Sequence, residues 1–248
     1  MDRYGLIGYP LGHSFSKDFF NDKFKDEGID AEYVNFEIPS IENFPDIVAA
    51  NGNLKGLNVT IPYKQQVIGY LDDISKEAKE IGAVNVVRVF REHNGKTKLK
   101  GYNSDVIGFV KSIEPLLKTH HRKALILGTG GASKAVKYGL ENNLGIETLY
   151  VSRTSRKGVI TYKDVTPDLI NEYEIIVNCT PCGMYPKTEE CPELPYEAMT
   201  ADNLLYDLIY NPDETLFMKN GAEHGAEVKN GLEMLLLQAY ASWDFWNE

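Results

Sequence analysis

Cysteine is scarce, with three residues in 248. Three thiols cannot make a disulfide framework, which excludes the small cross-linked secreted folds. Cys179 and Cys182 form a C-x-x-C, but a zinc or redox reading needs a second ligand pair or a helix start. Cys191 and the scattered histidines supply neither, so no metal site is expected. Positive charge is short as well: 26 Lys and Arg against 36 Asp and Glu give a formal net charge of −10. That argues against a general nucleic-acid or anionic-membrane surface, though a local basic patch stays possible. No apolar run approaches the roughly 20 residues of a membrane span, and the opening MDRYGLIGYP lacks a signal-peptide layout. A reducing cytoplasm is therefore the expected location. The rest is an ordinary globular composition, 43% hydrophobic and 25% charged. The length suits one large domain or two modest ones.

The most informative stretch is residues 124–136, ALILGTGGASKAV. Its apolar start reads as a strand buried on both faces, and its end as the first turns of a helix. Gly128, Gly130 and Gly131 turn one into the other. Such a turn aims free helix N–H groups, beginning near Ala132, and the positive end of the helix dipole at one spot, which suits a pyrophosphate. Gly128 and Gly130 match the first two positions of G-x-G-x-x-G, while Ser133 takes the third. A plain glycine loop is the competing reading. About 20 residues further on, a second apolar strand (residues 148–151) ends in Ser152-Arg153-Thr154-Ser155-Arg156-Lys157 rather than in an acid. Arginines and hydroxyls there suit a ribose 2′-phosphate, hence NADP; a solvated basic loop is the alternative.

In the first half, strands are expected over 4–8, 31–37, 56–60 and 81–88, and helices over 17–27, 41–50 and 106–117. A further helix is expected to start at Pro62, and a hairpin to turn near Asn94-Gly95. Ser14 and Ser16 offer two short donors ahead of a helix, either as a carboxylate seat or as a cap. Lys64 follows NVTIPY, close to Asn58 and Thr60, and is either a proton donor in a cleft or a surface lysine. Asn85 inside an apolar run needs a partner for its amide. Asp105 at a helix start is a cap or a site acid. In the second half, strands are expected over 174–178, 204–209 and 226–228, a helix over 215–225, and closing helices over 230–248.

Taken in order, GYPLGHSFS, NVTIPYK, GAVNVV, GYNSDVIGF, GTGGASKA, SRTSRK, NCTPCGM, YDLIYNP and NGLEMLLLQA resemble the shikimate dehydrogenase family over nearly the whole chain. NVTIPYK and the NSD segment of residues 103–105 are the most specific. The resemblance implies an α/β fold: a discontinuous N-terminal substrate domain (1–103 and 230–248) with an inserted Rossmann-like dinucleotide-binding domain (104–229). It implies NADPH-dependent, reversible reduction of 3-dehydroshikimate to shikimate by a monomer or homodimer. Lys64 and Asp105 match the catalytic pair. Ser14, Ser16 and Tyr210 match the carboxylate donors, and Asn58, Thr60, Asn85, Asp105 and Gln238 the readers of ring hydroxyls. Gly128, Gly130, Gly131, Ala132, Ser152, Arg153, Thr154, Lys157, Thr180, Gly183, Met184 and Met234 fall on cofactor positions. Lys17, Phe20, Ser152 and Asn230 depart from the family's proline, histidine, asparagine and aspartate. Three readings compete: a quinate or dual quinate/shikimate enzyme using NAD or NADP, a sensing module without turnover, and a methyltransferase. Intact Lys64 and Asp105 argue against the second, and the basic residues 153–157 against the third.

Overall fold

Parallel strands need a crossover between each pair, and this chain supplies it with short helices on the faces of two sheets. The computed structural model describes residues 1–12, 15–92 and 95–248. They divide into two units, residues 1–104 with 239–248, and residues 105–238. Ser14 and Asn94 lie outside the described residues.

The first unit runs β1 (Asp2–Gly8), α1 (Phe15–Asp26), β2 (Ala31–Glu37), α2 (Phe44–Ala50), β3 (Leu54–Val59), β4 (Asp73–Ile74), α3 (Lys76–Ile81), β5 (Val86–Arg91) and β6 (Thr97–Tyr102). Its sheet order is β2-β1-β3-β5-β6-β4. β1 pairs in parallel with β2 and β3, whereas β5 is antiparallel to both β3 and β6. Side chains alternate between two cores, as a pleated strand requires. Val87 and Val89 join Ile7, Leu57 and Val59 on one face. Val86 joins Tyr4, Phe20, Tyr33 and Trp246 on the other. Gly56 is what lets Trp246 lie on the sheet, because a Cβ there would come within 2.3 Å of the indole.

The second unit runs α4 (Asp105–Ile113), β7 (Lys123–Leu127), α5 (Gly131–Tyr138), β8 (Glu147–Ser152), β9 (Val159–Thr161), α6 (Pro167–Glu172), β10 (Ile175–Asn178), β11 (Leu204–Asp207), α7 (Leu216–Glu223), β12 (Glu227–Lys229) and the start of α8 (Leu232–Trp246). Every strand is parallel, in the order β12-β11-β10-β7-β8-β9. This is the doubly wound Rossmann order, with its switch point between β7 and β10. The inner strands are buried on both faces, and their continuous apolar runs meet one core on each side.

Four expectations need correction. No α-helix starts at Pro62: residues 61–65 form turns and 66–70 a 3-10 helix. The Lys64 carbonyl accepts from Val84 N at 2.7 Å rather than from a residue one helical turn on. The strand expected from residue 81 begins at Val86, because residues 76–81 are helix, ended by Gly82 in the left-handed region. The closing segment is one helix, α8. Finally, residues 230–238 belong to the second unit rather than the first. Gly231 N donates to the Ile209 carbonyl at 3.0 Å, and Met234 is 7% exposed in the second unit's core.

Gly108 on α4 holds α8 close, since a Cβ there would lie 2.5 Å from the Met234 carbonyl oxygen. Gly108→Ala is expected to cost about 1–3 kcal/mol through overpacking, measured as a lowered urea midpoint at unchanged slope.

Candidate active site

Each unit gathers predicted site residues beyond the C-terminal ends of its parallel strands. In the first unit, Asn58 sits near the end of β3, Thr60 follows it, and Thr60 N bonds the Ile7 carbonyl at the end of β1 (2.8 Å). Val59 N donates to the Asn85 carbonyl at 2.9 Å, and Asn85 N to Tyr102 O at 3.1 Å. Together with the Val84–Lys64 bond, these contacts bring Asn58, Thr60, Lys64 and Asn85 to one corner of the sheet. Gly8 permits the following loop to cross there, because a Cβ would stand 2.5 Å from Thr60 Cγ2.

A chain of side-chain hydrogen bonds runs beneath this corner. Tyr33 Oη donates to Asn58 Oδ1 at 2.8 Å, and Asn58 Nδ2 to Ser242 Oγ at 3.0 Å. Ser242 Oγ lies 3.1 Å from Ser104 Oγ. Asn85 is buried and locked to Ser104 twice: its Nδ2 donates to Ser104 Oγ (3.0 Å) and its Oδ1 accepts from Ser104 N (2.7 Å). Asn103 Nδ2 adds a bond to the Ala83 carbonyl at 3.0 Å. The turn leading to Asp105 is thus pinned by amides on both sides, which answers the partner question that Asn85 raised. Lys64 is half-buried.

In the second unit, Asp105 is the first residue of α4 and is buried. The register pairs Leu127 with both Val151 and Asn178, so the loops after β7, β8 and β10 leave the sheet side by side. They hold the glycine turn, Ser152 with Arg153, Thr154 and Lys157, and Thr180 with Gly183 and Met184. Arg153, Thr154 and Lys157 are exposed. Tyr210 follows β11 at the same end and is 39% exposed. Gln238 lies on α8 beside Gly108. Met234 packs in the core with Phe109 and Tyr206, a cluster that Cys179 at the end of β10 also packs against.

The glycines differ in what they do. Gly128 has φ +97°, and a Cβ would meet Thr180 Cγ2 at 2.9 Å, so both backbone and neighbour demand glycine. Gly130 has φ −77° and open space around its missing Cβ. Nothing in the fold requires glycine at Gly130, where α5 presents its first N–H groups, which fits a dinucleotide phosphate drawn close to the backbone. Ser133, at the third glycine position, is buried and donates to the Gly130 carbonyl at 2.8 Å. Its hydroxyl thereby tightens the turn that a third glycine would leave open.

Sequence reasoning missed a buried network beneath the loops. Asp207 accepts from Asn178 Nδ2 (3.1 Å), Ile209 N (3.0 Å) and Thr215 Oγ1 (2.6 Å). Asn178 Oδ1 in turn accepts from Thr180 N (3.1 Å) and Thr180 Oγ1 (2.7 Å). Burial pushes the Asp207 carboxyl up to about 6, against the pull of these three donors. An acid closing the apolar strand LLYD was the available signal. Burial also raises the Cys179 and Cys182 thiols, so neither is poised as a nucleophile. Among the described residues, no cluster of His, Cys, Asp and Glu could hold a metal ion. No described helix is long and apolar enough to cross a membrane.

Comparison with known proteins follows this geometry. Residues 6–87 match the family described as the shikimate dehydrogenase substrate binding domain. A protein of Methanococcus maripaludis named shikimate dehydrogenase (NADP(+)) is 40% identical over 98% of this chain and 90% of its own length. The chain belongs to the shikimate dehydrogenase family. Within that family, the shikimate 5-dehydrogenase of Thermus thermophilus, solved with NADP(H) and shikimate, superposes with a TM-score of 0.84. It is 29% identical, over 99% of this chain and 93% of that one. Quinate dehydrogenase from Corynebacterium glutamicum, solved with NAD, gives a TM-score of 0.85 at 25% identity, over 99% and 93%. The α/β fold, with its N-terminal substrate-binding part and Rossmann-like part, is therefore the family's.

The two glycines can be separated experimentally. Gly128→Ala is expected to lose about 1–3 kcal/mol through its backbone conformation, and Gly130→Ala to stay within about 0.5 kcal/mol of the parent. Denaturant unfolding of the two variants checks this.

Proposed function

We propose that this chain is an NADP-dependent shikimate dehydrogenase, reducing 3-dehydroshikimate reversibly to shikimate on the route to aromatic amino acids. The observation that carries the reading is the 40% identity, across 98% of the chain, to a protein named for that activity and cofactor. The second unit supports it with a glycine turn whose Gly130 leaves the backbone open to a close-lying ligand, and with Arg153, Thr154 and Lys157 where an NAD site would place an acid. The bound nucleotide supplies the hydride.

The chain's own residues would do the rest. Ser14, Ser16 and Tyr210 would donate to the substrate carboxylate, and Asn58, Thr60, Asn85, Asp105 and Gln238 would orient the ring hydroxyls. The Lys64 ammonium would sit at the reacting oxygen, stabilise negative charge as it develops, and deliver a proton there. Asp105 would accept a hydrogen bond from the Lys64 ammonium and fix its direction. Gly128, Gly130, Gly131 and Ala132 would hold the pyrophosphate, and Ser152, Arg153, Thr154 and Lys157 the adenosine end. Thr180, Gly183 and Met184 would lie by the nicotinamide, with Met234 backing them from the core. A reducing cytoplasm suits the three free cysteines.

The deciding assay crosses shikimate and quinate with NADP and NAD, following reduced-nicotinamide absorbance. Shikimate with NADP is expected to give the highest kcat/KM, whereas a preference for quinate with NAD would overturn the assignment. Lys64→Ala is expected to lower kcat by about 10² or more, with the KM for shikimate moving less than tenfold in steady-state kinetics. Arg153→Ala is expected to raise the KM for NADP by about 10–100-fold, the scale of one charge-assisted bond, while the KM for NAD hardly moves.

A further inference from the structure

Tyr33 is absent from every role assigned above, yet it is held from several directions. Its ring is 1% exposed and lies stacked on Phe20, with centroids 4.9 Å apart and planes 14° apart. Its backbone is gripped at both ends by one side chain of α1: Asn21 Oδ1 accepts from Tyr33 N, and Asn21 Nδ2 donates to Tyr33 O, both at 2.9 Å. Burial pushes the phenol well above its ordinary range, so it stays protonated. A phenol has one proton, and Tyr33 gives it to Asn58 Oδ1 at 2.8 Å. The Ser16 side chain faces the phenol and offsets part of the upward push of burial, as a donor does, so with the tyrosine proton committed the serine is the donor between them. One buried oxygen thus touches two residues assigned to different parts of the substrate.

The far end of the Asn58 amide is fixed as well. Its Nδ2 donates to Ser242 Oγ at 3.0 Å and reaches the Asn85 carbonyl at 3.4 Å. Ser242 is fully buried. With Oδ1 accepting from the phenol and Nδ2 lying between Ser242 Oγ and the Asn85 carbonyl, one amide orientation is favoured, because turning it over would set Oδ1 against the Asn85 carbonyl oxygen. Ser16 stands on the first turn of α1, while Phe20 and Asn21 on the next turn carry the grip on Tyr33. The same helix therefore sets both the serine and the tyrosine it contacts.

We propose that Tyr33 is a positioning residue for substrate: its phenol fixes the Ser16 hydroxyl and the Asn58 amide relative to each other before the ligand arrives, with Ser242 completing the hold on Asn58. An arriving carboxylate is a stronger acceptor than a phenol oxygen, so it draws the Ser16 proton to itself. Asn58 keeps its orientation meanwhile, because the Tyr33 proton stays on Oδ1. Tyr33 itself does not touch the ligand. The proposal rests on shikimate being the substrate.

The test is Tyr33→Phe, which keeps the stacked ring and removes only the hydroxyl. The KM for shikimate is expected to rise about tenfold, the scale of one or two neutral hydrogen bonds. The KM for NADP should stay within about twofold and kcat within about threefold, margins well inside a one-bond loss. A purely structural role would weaken both substrates together. In a double-mutant cycle, Tyr33→Phe should cost at least about threefold less when Ser16 is already alanine, since part of its effect passes through Ser16. If thermal melting shows Tyr33→Phe to be unfolded, Ser242→Ala replaces it. That variant frees the other end of the Asn58 amide and should give the same split between the two KM values. An active wild type with an unchanged shikimate KM in the folded variant, or a strictly additive cycle, overturns the assignment of Tyr33 alone. A wild type that does not turn over shikimate overturns the proposed function and this inference with it.

Discussion

Parallel strand pairing is the constraint on which the rest of this structure depends. A chain that must cross back between parallel neighbours puts all its strand-to-helix turns at one end of the sheet. In the second unit that end carries the glycine turn, the basic loop after β8, the Thr180 loop and Tyr210, delivered by strands kept in register. In the first unit, the parallel pairing of β1 with β3 brings the loop after Gly8 and the Asn58–Lys64 segment together in the same way. A site assembled thus draws residues far apart in sequence, yet each needs only a short, well-anchored loop to reach its place.

Both corners are held from below by buried polar side chains. Asp207, Asn178 and Thr215 hold the Thr180 loop, while Tyr33, Asn58, Ser242, Ser104 and Asn85 form the chain under the first unit's corner. Groups of this kind are costly when left unpaired and stiffening when satisfied. Asp207 illustrates the balance: burial disfavours its charge, and three donors restore part of what is lost. A loop resting on such a network keeps its shape without a packed core of its own.

Much of this was legible in the sequence. The period-2 alternation of AEYVNFE gave β2 its bounds, and the apolar runs ending in glycine or asparagine gave β7 and β10 to within a residue. The misses have physical causes. Residues 62–70 carry a proline at a plausible helix start, but the Lys64 carbonyl is claimed by Val84, twenty residues away, and no local pattern encodes that bond. Residues 81–85 are apolar enough for a strand, yet Gly82 ends a short helix there first. Lys64, Asp105 and Gly130 could be singled out because their residue types are informative at those spacings. Tyr33 and Ser242 could not, since a tyrosine on a strand and a serine on a helix have many uses, and only the fold shows that both reach Asn58.

The division of α8 between the two units sets an order of assembly during synthesis. A ribosome has delivered every residue of the second unit once position 238 has emerged, and its parallel sheet can then close. The first unit, although its sheet is translated earlier, lacks the indole of Trp246 over Gly56 and the hydroxyl of Ser242 beside Asn58 until the last ten residues appear. On that face the α1 side chains Phe20 and Phe24 are already available, but the part that Trp246 covers waits for residues 239–248. Of the two units, the one begun first is the one completed last.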